Sequence, residues 1–329
     1  MSRTRTRQPT FADLYAGAGL LSAGMVRAGF RPTLAVELDQ SAAQSYARNI
    51  AECVRIGSAI DAFNVPVVDL LVAGPPCQGF STLGRRDPSD VRNKLCLAVL
   101  PWARQSKAKV VLIENVPPFL RSPQWKQLKR GLEKLGYAVT TWELDAVEFG
   151  TPQRRRRAFT VASRIGEILK PEASDTQTIT AGDVLLGHRR RYRRGDPMHI
   201  WPVAKGIAAQ RIALIPPGGD KRDVARLAPE LCPPSWKRVG CQATDVWGRI
   251  EADEPANTIR CTFQNPSKGR YLHPFENRVL SLREGARLQG IPDNWLMEGL
   301  PYPVARQIGN GVPIPLAHAV GEALAEVFH

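Results

Sequence analysis

The sequence is poor in features that staple or anchor a chain. Its six cysteines, at positions 53, 77, 96, 232, 241 and 261, make no CxxC pair and no Cys/His grouping with zinc spacing. This excludes a disulfide scaffold and a sequence-encoded metal centre, so reduced thiols and no metal are expected. No apolar run approaches the length of a bilayer span, and the basic start Met1 to Arg7 is not followed by the apolar stretch of a secretory signal. A cytoplasmic protein of the cytosol or nucleoid type, with no membrane partner, is the expectation. Internal repeats are absent, and acidic residues are outnumbered: 45 Lys plus Arg stand against 31 Asp plus Glu, a net charge of +14. The surplus gathers at Gln153-Arg154-Arg155-Arg156-Arg157 and at His188-Arg189-Arg190-Arg191-Tyr192-Arg193-Arg194, where arginine offers bidentate phosphate contacts. A polyanionic partner, nucleic acid, follows from that clustering.

What is present is a regular first half and an irregular second. Short apolar runs predict strands near Thr10 to Tyr15, Thr33 to Glu37, Cys53 to Gly57, Asp69 to Ala73, Val110 to Glu114, Ala138 to Leu144 and Ala158 to Ala162. Amphipathic stretches predict helices over Leu20 to Ala28, Gln40 to Asn49, Asn93 to Gln105 and Gln124 to Leu135. The alternation is that of a doubly wound α/β domain with a mostly parallel sheet. After about Arg164 the chain becomes rich in Pro, Gly and Arg, with breakers such as Pro216-Pro217-Gly218-Gly219. Helices return at Ser281 to Gln289, with Ser281 and Glu284 spaced as a capping box, and at Pro315 to Phe328. The expected division is a catalytic domain of 1–166 and 303–329 with a smaller, irregular domain and hinge of 167–302.

Leu70 to Ala73 delivers Gly74-Pro75-Pro76-Cys77 from a buried strand into a loop stiffened by two prolines. Most free cysteines are small buried hydrophobes. A thiol placed at the carboxyl end of a central parallel strand is instead where open α/β sheets bind ligands, so Cys77 reads as a nucleophile. The turn Asp13-Leu14-Tyr15-Ala16-Gly17-Ala18-Gly19 joins the first strand to the first helix, and Ser22 stands where a third phosphate-binding glycine would fall. With Glu37 at a strand end able to accept from a ribose diol, the pattern favours a nucleoside-bearing cofactor without a phosphate cradle. S-adenosylmethionine fits that description.

In order and spacing, Asp13 to Gly19, Glu37, Pro76-Cys77-Gln78, Glu114-Asn115-Val116, Gln153 to Arg157, Arg283 to Pro292 and Gly309-Asn310-Gly311-Val312-Pro313 resemble the blocks of bacterial-type DNA (cytosine-5) methyltransferases. The resemblance spans nearly the whole chain. It implies a class I S-adenosylmethionine-dependent fold, Rossmann-like, with a variable target-recognition domain between the arginine block and Arg283. It also implies transfer of a methyl group from S-adenosylmethionine to C5 of a flipped-out cytosine in a specific duplex sequence. Cys77 would add to C6, Glu114 would meet N3 and the exocyclic amine, Arg157 would meet O2, and Arg155 would support the site.

The cofactor contacts implied are Asp13, Tyr15, Ala16, Gly17, Gly19, Leu21, Glu37, Leu38, Ser58, Ala59, Gly74, Pro76, Leu95, Asn310 and Val312. DNA contacts are expected from Gln78, Ser81, Arg85, Arg86 and Arg92 in a loop closing over the base, and from Arg249 and Arg260. Gln264, Asn265 and Lys268 are further candidates for reading base edges, and Thr258-Ile259 for shaping the recognition core. The sequence departs from the family pattern at Leu20, where a second glycine is common, and at Gly311, where serine is. Gly57-Ser58 stands where an acidic residue usually holds the adenine amino group.

The partner is double-stranded DNA, the chain acts as a monomer, and a cognate restriction endonuclease could share its site. Two other functions compete. A transfer-RNA methyltransferase is disfavoured by the long recognition region, and a non-catalytic DNA-binding regulator by the presence of Cys77, Glu114 and Arg157 together.

Overall fold

A computed structural model describes residues 7–61, 64–76, 91–174, 177–186, 195–239 and 245–328, apart from the side chains of 91–94 and 237–239. The strands are β1 (Thr10–Leu14), β2 (Arg31–Glu37), β3 (Val54–Ile56), β4 (Leu70–Ala73), β5 (Val110–Asn115), β6 (Ala138–Asp145) and β7 (Arg156–Ser163). The α-helices are α1 (Leu20–Arg27), α2 (Gln40–Asn49), α3 (Val99–Ser106), α4 (Pro123–Lys134), α5 (Ala181–Leu185), α6 (Gly206–Leu214), α7 (Lys221–Leu227), α8 (Pro234–Val239), α9 (Leu282–Leu288), α10 (Pro301–Asn310) and α11 (Ile314–Ala325). Packing divides the chain into two compact units. One comprises Met1–Phe149, Arg156–Asp175 and Val312–His329, the other Gly150–Arg155 and Thr176–Gly311.

The first unit is built on a 7-stranded sheet of order β3-β2-β1-β4-β5-β7-β6. Its neighbours are parallel from β3 to β5, whereas β7 runs antiparallel to both β5 and β6. The central strands read as continuous apolar runs because both faces are covered. Phe11, Leu70, Val72, Val110 and Leu112 meet Met25 of α1 and Leu316, Val320 and Leu324 of α11 on one side. Ala12, Leu14, Leu71, Val111 and Ile113 meet Val99 and Trp102 of α3 and Leu128 and Leu132 of α4 on the other. The doubly wound expectation holds. The helix expected over Asn93 to Gln105 divides into a 3-10 segment, Val91–Ala98, and α3. Pro101 fits the first turn of α3, where its missing N–H would have no helical partner.

The second unit has short helices and a smaller apolar core of Ile212, Ile215, Val224, Trp247, Leu272 and Val279. Isolated bridges Arg249↔Leu272 and Leu272↔Val279 replace a sheet, and buried polar groups carry much of the framework. The capping box at α9 forms as its spacing predicts: Ser281 Oγ accepts from Glu284 N at 3.1 Å and Ser281 N donates to the Glu284 carboxylate at 2.7 Å. Arg278 donates to both Glu284 oxygens, each at 2.7 Å, so the carboxyl is held low, at about 2, against a burial that would raise it. Nearby, His273 Nδ1 accepts from Phe275 N and Glu276 N at 3.2 and 3.0 Å, which requires that nitrogen unprotonated, and burial pushes its pKa down. None of the described helices is long and apolar enough to cross a membrane.

Ser281 also stands 3.0 Å from His199 Nδ1 and is fully buried. Ser281→Ala therefore removes a hydrogen-bond partner of His199 as well as a cap, and is expected to cost about 2 kcal/mol. Urea unfolding of the two proteins measures this, and a loss below about 0.5 kcal/mol would contradict the capping role.

Candidate active site

Parallel strands bring β1, β2, β4 and β5 to one edge of the sheet with their carboxyl ends together, the edge at which open α/β sheets bind ligands. The turn after β1 begins with Tyr15 at φ 60°, followed by Gly17 at 55° and Gly19 at 88°. At Gly19 a side chain is excluded twice over, because a Cβ would also collide with Tyr46 and Ile50. Gly17 N donates to Glu37 Oε2 and Asp39 N to Oε1, both at 2.8 Å, so the carboxylate is fixed by backbone while each oxygen keeps a second lone pair. Tyr15 OH donates to Leu95 O at 2.8 Å, and burial raises its pKa.

Asp13 is buried beneath this turn. Ser22 Oγ donates to its Oδ2 at 2.6 Å and lies 3.0 Å from Tyr46 OH, while Oδ1 has no hydrogen-bond partner. Burial pushes the carboxyl up to about 7, Ser22 opposes the shift, and the Glu37 charge adds to it. The side chain braces the turn from inside. Leu21 and Val312 are packed in the core. Ala16 and Ala59 are also buried, whereas Leu38 is 70% exposed and Asn310, ending α10, is exposed.

Towards β4 and β5 the residues become reactive in type. A Cβ built on Gly74 would lie 3.8 Å from Glu114 Oε2 and 3.9 Å from Tyr15 O, which puts this glycine beside the carboxylate. Asn115 Nδ2 donates to Pro75 O at 3.2 Å, tying the end of β5 to the segment that runs through Pro76. Glu114 and Arg157 pair at 2.8 Å with side chains only 12% and 13% exposed. The pair depends on the antiparallel register of β7: Glu114 faces Phe159, and Arg157 is its diagonal neighbour on the same face. Cys77, Gln78, Ser81, Arg85 and Arg86 lie outside the described residues, as do Arg189 to Arg194 and the side chain of Arg92.

One of the arginine assignments, that of Arg249, needs correction. Arg155 precedes β7, which begins at Arg156. Its buried guanidinium donates to Ile259 O at 2.8 Å and Gly309 O at 2.7 Å within the second unit. Arg249 is 3% exposed and donates to Ile215 O at 2.7 Å, His273 O at 2.9 Å and Ile212 O at 3.2 Å, as well as to Glu276 O and Asn277 Oδ1. A guanidinium so engaged has no face left for DNA. Arg260 is half-buried and donates to Lys268 O at 3.2 Å. Gln264 Nε2 donates to Ile200 O at 3.0 Å and Asn265 Oδ1 accepts from Ser267 N at 2.9 Å, so both also serve the loop framework. Arg154 and Arg156 pair with Glu254 and Glu143.

Two side chains to which the sequence assigns no role of their own support this framework. Gln153 donates to Leu288 O at 2.9 Å and accepts from Ile259 N at 2.7 Å, and Trp102 Nε1 donates to Ala59 O at 2.7 Å. For Trp102 the sequence signal is a large polar-tipped side chain inside an otherwise packed segment. Among the described residues no cluster of His, Cys, Asp or Glu could hold a metal ion.

The family model of C-5 cytosine-specific DNA methylases matches residues 9–191 and 222–326. The chain belongs to this family. Type II methyltransferase M1.HphI of Haemophilus parahaemolyticus is 30% identical over 97% of this chain and 87% of its own length. Type II methyltransferase M.PspPI of Psychrobacter sp. is 31% identical over 98% and 80%. Among solved structures, a putative DNA modification methyltransferase encoded within an Escherichia coli prophage superposes with TM-score 0.68 at 22% identity, covering 97% of this chain and 99% of that one. The S. pombe Dnmt2 methyltransferase gives 0.61 at 18%, covering 97% and 98%, and both likenesses concern the fold.

The protein is thus a DNA (cytosine-5-)-methyltransferase of the kind found in Type II restriction-modification, and the family draws its methyl group from S-adenosylmethionine. The residues present fit that donor. A fixed carboxylate with spare acceptor positions, open space beside Gly17 and the exposed apolar side chain of Leu38 are the features a nucleoside requires.

Asp13 gives the turn a pH signature. The folded chain keeps a proton up to about pH 7 that an ordinary carboxyl, near 3.8, has already released in the unfolded chain. This group therefore lowers stability as pH rises through that window. Asp13→Asn is expected to abolish this contribution, seen as a shallower fall in urea midpoint from about pH 4 to about pH 7. An unchanged slope would mean that Asp13 is ionised throughout.

Proposed function

We propose that this chain methylates C5 of one cytosine in a specific double-stranded DNA sequence, with the base rotated out of the helix and held covalently through Cys77. The observation that carries this reading is the Glu114–Arg157 pair, 2.8 Å apart and largely shielded from water, next to the Gly74-Pro75-Pro76 segment that leads directly into Cys77. Such a pair presents an acid and a fixed cation to the polar edge of a pyrimidine: Glu114 to N3 and the exocyclic amine, Arg157 to O2.

The chemistry needs both. C5 of cytosine is a weak nucleophile, and addition of the Cys77 thiolate to C6 turns it into an enamine carbon. Glu114 promotes the addition by placing a proton or hydrogen bond on N3, and Arg157 stabilises the electron density that accumulates on O2. S-adenosylmethionine, when bound, supplies the electrophilic methyl group that C5 takes up. Loss of the C5 proton to a base then allows the C6–S bond to break, returning the thiolate and the aromatic ring. Tyr15, Gly17, Glu37 and Leu38 would hold the donor, with Glu37 accepting from the ribose hydroxyls through lone pairs that Gly17 N and Asp39 N leave unused. Arg155 acts through Ile259 and Gly309 as a positioning residue. A chain working as a monomer, paired with an endonuclease that cuts the same unmodified site, completes the reading.

The deciding experiment is transfer of labelled methyl from S-adenosylmethionine to unmethylated duplex DNA and, separately, to bulk transfer RNA, with nucleoside mass spectrometry. Wild type should yield 5-methyldeoxycytidine in DNA. Cys77→Ala should yield none while DNA binding persists, and Glu114→Gln should lower turnover by about a hundredfold or more. Label confined to RNA, or full turnover by Cys77→Ala, would overturn the proposal.

A further inference from the structure

The surface of α3 and α4 carries a charge that the site has not used. The two helices lie side by side on one face of the sheet, close enough that a Cβ added at Gly131 would collide with Leu100. Arg104 and Lys107 at the end of α3, Arg121 just before α4, and Lys126, Arg130 and Lys134 along it are exposed, and among the described residues none of them makes an ion pair. The one acid of α4, Glu133, pairs with Lys129 at 3.7 Å. Tyr137 OH, beyond α4, donates to Ala108 O just ahead of β5, so the helix runs from the carboxyl edge of the sheet to its amino edge and the basic row leads away from the catalytic residues.

Helix stability does not account for this row. Lys126, Arg130 and Lys134 recur every four residues, about 6 Å apart, and like charges at that spacing repel. Lys134 suits the carboxyl end of the helix, but Lys126 stands near an amino end that has no acid in its first turn and favours one. Lys107, capping α3 at φ 52°, holds a conformation that favours glycine. Nor is the charge a uniform coat for solubility. On the opposite face of the sheet, residues 314–328 expose Glu322 and Glu326 and include no lysine or arginine.

The partner follows from what else the surface offers. Among the described residues no large apolar side chain of α3 or α4 is exposed, so the surface has neither the apolar centre of a protein interface nor the inserting side chains of a membrane-surface helix. It offers cations alone, which suits a polyanion. The 12 residues of α4 span about 18 Å, the length of roughly five base pairs. We infer that the surface of α3 and α4 binds the phosphate backbone of duplex DNA outside the catalytic site, without regard to sequence, and holds the enzyme on long DNA. The inference rests on the DNA reading under Proposed function and adds a second contact to it.

The test is binding of long random-sequence duplex DNA to the whole chain, followed by fluorescence anisotropy over a series of salt concentrations. Lys126→Gln combined with Arg130→Gln removes two cations that the helix does not need, so the urea midpoint should be unchanged or higher. This variant should bind about tenfold more weakly, and its plot of log affinity against log salt should be shallower by about 2. Turnover on unmethylated genomic DNA sheared to short fragments should stay at the wild-type level. Arg27→Gln combined with Arg31→Gln, both exposed elsewhere on the same unit, makes the same change in net charge and should leave the slope as it is. An unchanged slope in the α4 variant would overturn the inference and leave the surface to an acidic protein partner. Equal losses in the two variants would overturn it in favour of overall charge, and a parallel fall in turnover on short fragments would assign these residues to the catalytic DNA contact instead. The slope is read without turnover, so a wild type that makes no 5-methyldeoxycytidine would overturn the reading under Proposed function and not this one.

Discussion

The direction of one strand decides what the sheet edge can do. β1, β2, β4 and β5 run parallel and bring their carboxyl ends together, with Glu114 at the end of β5. β7 runs the other way between β5 and β6, so its amino end arrives at the same edge and carries Arg157 to Glu114. Turned parallel, β7 would place Arg157 at the far side of the sheet, about a strand length of roughly 20 Å away. Glu114 would then lose the counter-charge that Arg157 supplies.

The turn after β1 shows how a polar site is supported in an apolar fold. Its backbone is held by glycines at positive φ and by the Glu37 carboxylate, and from below by Asp13 through Ser22 and Tyr46. Burying Asp13 with one oxygen unpartnered is costly for stability. The return is a polar layer under the turn that an apolar residue would not provide, because Ser22 would then lose the acceptor for its hydroxyl.

Much of the first unit was legible because its signals are local. Apolar runs such as Leu70 to Ala73 and Val110 to Ile113 have one reading when both sheet faces are covered, and Ser281 with Glu284 states a helix start in two residues. The arginines were not legible in the same way. Arg155 sits in a basic run and Arg249 in an irregular stretch, yet both spend their guanidinium groups on carbonyl oxygens brought close by distant parts of the chain. Sequence reports the charge of such a residue and not which oxygen it meets. The short helices α6 to α8 were hidden for a related reason: each is brief and bounded by proline or glycine, so no periodic pattern develops. Packing also divides the chain within the arginine block, assigning Gly150–Arg155 to the second unit. Composition changes only later in the chain, which is why the sequence reading set its boundary at 166.

The second unit is framed less by side chains interlocking in a large core than by Arg249, Arg155, Arg270 and Gln153 binding main-chain atoms. A bond to a carbonyl is indifferent to the side chain that the same residue carries. Surface positions along these loops can therefore drift from lineage to lineage while the path of the backbone is inherited unchanged. Such a frame separates the part of the molecule that has to persist from the part that is free to diverge.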